Sequence, residues 1–92
     1  MPAIEKDFRH IKVVSYRSSI HLAISTEDLN FRFRNVYDRA DMDDFDKNVI
    51  ELALTAIAQR GKLYLGGSYE GDGDHNGPLE IMLAVASTNN NI

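Results

Sequence analysis

Phe31-Arg32-Phe33-Arg34-Asn35-Val36-Tyr37, followed after Asp38-Arg39-Ala40 by Asp41-Met42-Asp43-Asp44-Phe45-Asp46, is the stretch on which the fold turns. Up to Tyr37 the apolar residues recur at every second position, the period of a half-buried strand. Beyond it Phe45, Val49, Leu52, Ala53, Ala56 and Ile57 recur at helical spacing, in a segment rich in the helix formers Ala, Leu and Glu. The spacing predicts a helix over about residues 42–60. Asp41 or Asp43 is placed to cap its start, and further carboxylates in the first turn suit the positive end of the helix dipole. Gly61 is the expected stop.

Outward from this switch, two more alternations precede it. Ile11, Val13 and Ser15 alternate with Lys12, Val14 and Tyr16; Ile20, Leu22 and Ile24 alternate with His21 and Ala23. Arg17-Ser18-Ser19 and Ser25-Thr26-Glu27-Asp28 read as short connections, so an antiparallel meander is the simplest arrangement. Two strands follow the helix. Lys62-Leu63-Tyr64-Leu65 runs to Gly66-Gly67, where a bulge or close approach is expected. Leu79, Ile81, Leu83 and Val85 alternate with Glu80, Met82, Ala84 and Ala86. The predicted order is β-β-β-α-β-β: an α+β fold with an antiparallel sheet of about five strands and one amphipathic helix packed on it. The 92 residues fit a single domain, with a polar tail at 88–92 expected to be flexible.

The charge is divided along the chain. Residues 1–37 carry Lys6, Arg9, Lys12, Arg17, Arg32 and Arg34 against Glu5, Asp7, Glu27 and Asp28; residues 38–92 carry four bases against ten acids. The net charge of −4 opposes general, sequence-blind DNA binding, which depends on phosphate neutralisation. The absence of cysteine removes disulfides, thiolate metal sites and a Cys nucleophile together, and favours a reducing, cytoplasmic setting. Met1-Pro2-Ala3-Ile4-Glu5-Lys6-Asp7 has no apolar leader, and the longest apolar runs fall short of the roughly 18 residues of a membrane span, so no membrane partner is expected.

Three segments carry candidate sites. Four Asp in six residues, Asp41, Asp43, Asp44 and Asp46, exceed what a helix cap needs; the block reads equally as a solvated first turn or as a negative patch for a basic partner. Phe31-Arg32-Phe33-Arg34 sends two rings to one face and two guanidinium groups to the other. The rings suit a core. Arg32 and Arg34 suit carboxylates of a neighbouring strand or partner, or phosphates. Within Glu70-Gly71-Asp72-Gly73-Asp74-His75-Asn76-Gly77, the six residues from Asp72 to Gly77 resemble the first half of a calcium-binding EF-hand loop, but Leu83 stands where that loop needs a bidentate Glu. It reads as an acidic hairpin loop, with Glu70, Asp72 and Asp74 as partner contacts. The alternative is a small calcium-binding domain that uses Asp72, Asp74, Asn76 and Glu80. His10, His21 and His75 share no ligand spacing, and no nucleophile or phosphate-loop motif is present, so neither catalysis nor a cofactor is expected.

In its single α+β domain, lack of cysteine, acidic balance, Asp-rich helix start and absence of a catalytic motif, the chain resembles small phage-encoded anti-CRISPR proteins that inhibit multi-subunit type I complexes. The resemblance is one of build over the whole chain. It implies a non-enzymatic inhibitor in the host cytoplasm that binds a CRISPR surveillance complex and blocks target-DNA binding. Asp41, Asp43, Asp44, Asp46, Glu70, Asp72 and Asp74 would meet its DNA-holding lysines. Arg32 and Arg34 would meet an acidic subunit surface or the guide RNA, and an RNA-contacting accessory protein using this strand is a further alternative.

Overall fold

A computed structural model describes residues 2–71 and 77–88. The described chain forms six strands and one helix: β1 (Ala3–Phe8), β2 (His10–Ser15), β3 (Ser19–Ser25), β4 (Arg32–Asp38), α1 (Asp44–Ala58), β5 (Lys62–Tyr69) and β6 (Leu79–Ser87). The architecture is α+β, but the strands divide into two antiparallel three-stranded sheets, ordered β1-β5-β6 and β2-β3-β4, in place of one five-stranded sheet.

The additional strand is β1. Its inward residues Ile4 and Phe8 are buried, but Lys6 between them shares their parity and interrupts the alternation. Lys6 instead sets its ammonium 5.2 Å from the centre of the Phe31 ring. Only Arg9 separates β1 from β2, and its N–H donates to the Ser25 carbonyl, so the chain passes from one sheet into the other at this point.

The two sheets share one core. Leu22, Ile24 and Phe33 of one face Phe8, Leu63, Leu65, Tyr69 and Leu79 of the other, all buried. Phe33 stands between Phe8 and Tyr69, with ring centres 6.0 and 5.2 Å away. Helix α1 adds Val49, Ile50, Ala53 and Ala56 and packs on β2, β5 and β6. Its buried face is turned toward Ile50, so Phe45 and Ile57, expected to face inward, are exposed.

The helix is shorter at both ends than the predicted 42–60. Asp43 is the cap, its Oδ1 accepting from the Asp46 N–H at 2.8 Å. At the other end Arg60, not Gly61, takes the left-handed conformation (φ 52°). Arg60 N–H donates to Ile57 O and Gly61 N–H to Ala56 O, the paired bonds that close a helix C-terminus. The expected irregularity at Gly66-Gly67 is present as a register shift against β6, and a Cβ on Gly67 would lie 2.1 Å from the Glu80 carbonyl oxygen.

Candidate acidic cleft and basic sheet face

Strand β4 links the two charged regions of the molecule. Its first half carries Arg32 and Arg34 outward and Phe33 inward; its second half carries Asn35, Val36 and Tyr37 to a cleft beside α1 and β6.

The cleft exists because β4 and the start of β6 meet through a side chain and not through a strand ladder. Asn35 is buried. Its Nδ2 donates to the Leu79 carbonyl at 2.9 Å, and its Oδ1 accepts from the Leu79 N–H at 2.8 Å. The amide thus pairs with the Leu79 backbone as another peptide would. Nδ2 also donates to the Tyr37 hydroxyl at 2.9 Å.

The space beside this bridge has a volume of about 560 Å³. Tyr69, Pro78, Leu79 and Ile81 give it an apolar floor, and Asp46, Glu70 and Glu80 stand around it. A second recess of about 290 Å³ shares Val36, Tyr37 and Asp46 with the first and adds Asp38 and Asp41. Among the described residues, five carboxylates therefore surround two neighbouring recesses, and no Lys, Arg or His lines either. Among the described residues none of the five forms an ion pair. Arg39, next to Asp38 in the chain, is turned away, its guanidinium donating to Tyr16 O and Ser15 Oγ. Burial pushes the Tyr37 phenol above its usual range; the bond from Asn35 acts against this, and the charges of Asp46 and Asp43 add to it.

The acidic block is thus divided by the fold. Asp46 is half-buried at the junction of the two recesses, Asp41 lines the smaller one, and Asp43 is committed to the helix cap. Asp44 is exposed in the first turn of α1. Glu70 lines the larger recess with Asp46, whereas Asp72 and Asp74, with the calcium-loop reading built on them, lie outside the described residues. No group of three His, Asp or Glu side chains suited to hold a metal occurs among the described residues. No described helix is long and apolar enough to cross a membrane.

Arg32 and Arg34 are not part of this cleft. Cross-strand register places Arg34 opposite Ala23 and Ala23 opposite Lys12; Arg32 lies opposite Ser25, and Ser25 opposite His10. The two arginines stand out in the sequence, but their neighbours Lys12 and His10 do not, because alignment across three strands depends on both turn lengths. Asn35, Asp38 and Glu80 likewise become parts of one cleft only in the folded chain. A polar Asn at an inward position of β4 is the one signal that marked the bridge.

No family model matches the chain, and neither the curated proteins nor the solved structures searched contain a match. Fold and surface define a small α+β protein with separate acidic and basic surfaces.

Proposed function

We propose that this chain is a non-enzymatic binding protein whose acidic cleft engages a lysine- or arginine-rich surface of a nucleic-acid-handling complex. Within that class we propose the inhibitor mode of the anti-CRISPR proteins it resembles in build: occupation of the basic surface that a type I surveillance complex uses to hold target DNA. One observation carries this reading. Asp38, Asp41, Asp46, Glu70 and Glu80 surround two neighbouring recesses with an apolar floor and have no basic partner among the described residues.

Such an arrangement suits a long basic side chain. Its methylene stem would lie on Tyr69, Leu79 and Ile81, and its charged end would reach carboxylates as a charge-assisted donor. Carboxylates left without internal partners repel one another in the free protein, and a basic surface relieves that repulsion. Association would be steered by charge and slowed by salt.

The test is target-DNA binding by a purified type I surveillance complex, followed by gel shift as the protein is added. The expected result is loss of the DNA-bound band with wild-type protein and its retention with Glu70→Lys/Glu80→Lys. DNA binding unaffected by wild-type protein would refute the inhibitor mode.

A further inference from the structure

The outer face of the β2-β3-β4 sheet takes no part in the acidic cleft's chemistry. Register sets three cross-strand rows on it: His10–Ser25–Arg32, Lys12–Ala23–Arg34 and Val14–His21–Val36. The small side chains of Ala23 and Ser25 on the central strand leave a trough of about 500 Å³ between the side chains of β2 and β4. Strand spacing puts these walls about 10 Å apart, with successive rows about 6.8 Å along the trough.

Arg9, His10, Lys12, Arg32 and Arg34 line the trough, and among the described residues no carboxylate does. Arg9 is also paired with Glu27 at 3.6 Å. Lys12 and Arg34, facing each other across Ala23, form no ion pair with a described acid. In the next row the Tyr16 ring lies against His21, with ring centres 4.7 Å apart and planes at 53°. Tyr16 is 52% exposed. Beyond the cationic rows, past Val14 and Val36, the same face therefore carries an aromatic ring open to solvent, although Phe33 of this sheet faces inward.

We infer that this trough binds a short single-stranded nucleic acid, with phosphates between Lys12 and Arg34 and a base stacked on Tyr16. Cationic grooves that follow the backbone, joined to aromatic platforms that accept any base, are the means by which proteins hold single strands. The trough is narrow enough for one strand, and a duplex would reach only its rim. An acidic peptide would satisfy Lys12 and Arg34 but leave Tyr16 unused. The net charge of −4 opposes long-range attraction, so binding rests on the local arrangement and is sensitive to salt.

The test is fluorescence anisotropy of the full chain with labelled oligouridine RNA and oligothymidine DNA of about 12 nucleotides, which exceeds the length of the trough. Two neutralised phosphates predict about a sevenfold loss of affinity from 50 to 200 mM salt. Lys12→Glu/Arg34→Glu is expected to lower affinity more than tenfold, and Tyr16→Ala roughly tenfold. All three positions are at the surface, and circular dichroism checks that the variants fold. Preference for RNA would assign a 2′-hydroxyl contact and equal binding a backbone-and-base contact; both support the inference. Equal binding of a duplex, displacement by poly-glutamate at equal charge, no binding at 50 mM salt, or unchanged binding by Tyr16→Ala would each overturn it. Glu70→Lys/Glu80→Lys should still bind the oligonucleotides, so this surface and the cleft fail or succeed separately.

Discussion

Asn35 carries more of the structure than its single side chain suggests. It makes three hydrogen bonds where β4 meets β6. Replacing it with Ala would leave the N–H and C=O of Leu79, itself 2% exposed, without partners. At about 1–3 kcal/mol per orphaned buried group, Asn35→Ala should cost about 2–6 kcal/mol in urea unfolding. That is a large part of the roughly 5–15 kcal/mol that holds a small domain together. Loss of less than about 0.5 kcal/mol would show that the bridge is not structural. Tyr37 beside it supplies a pH test. A phenol raised in the folded state stays protonated after the unfolded chain has released its proton. Stability is then full below the unfolded value of 10.0 and falls as pH rises from there through the raised folded value. Tyr37→Phe should therefore flatten the alkaline fall in melting temperature. Tyr64, raised in the same direction by its 2.8 Å bond to Glu5, leaves a residual slope in both proteins.

Among the elements, helix α1 shows how the acidic block divides its work. Asp43 closes the first turn, while Asp46 turns toward the recesses. Asp43→Ala should cost about 1 kcal/mol in thermal or urea unfolding, and Asp43→Asn only a few tenths, because the cap needs an oxygen acceptor and not a charge. Partner binding should be disturbed less by Asp43→Asn than by changes at Asp46. This division was only half legible in the sequence. The switch of period after Tyr37 marked the helix, and the parity of Phe31-Arg32-Phe33-Arg34 marked which side of β4 faces out. Strand β1 was hidden because Lys6 occupies an inward-parity position and sets its ammonium over the Phe31 ring, a contact between residues far apart in the chain. The left-handed Arg60 was hidden because glycine is the usual occupant of that conformation, whereas Gly61 is required by the approach of the Ser87 backbone, 2.0 Å from where a Cβ would sit. The trough was hidden for a similar reason. Lys12, Ala23 and Arg34 become neighbours only through the two hairpin registers.

In the whole molecule, the division of charge along the chain becomes a division in space. The basic residues 1–37 supply the outer face of β2-β3-β4, and acids from the end of β4, the start of α1, the end of β5 and the start of β6 meet around the cleft. Strand β4 runs from one to the other, so a partner offering a basic protein surface beside a nucleic-acid strand could engage both at once. We propose that the acids without a described basic partner are the protein-binding surface. The affinity of wild-type protein and of Glu70→Lys/Glu80→Lys for an immobilised, purified type I surveillance complex, measured at low and high salt, tests this. Tight binding by wild type should weaken as salt rises and fall more than tenfold in the charge-reversed variant. Absence of binding, or equal affinity for the two proteins at both salt concentrations, would show that these acids are not that surface.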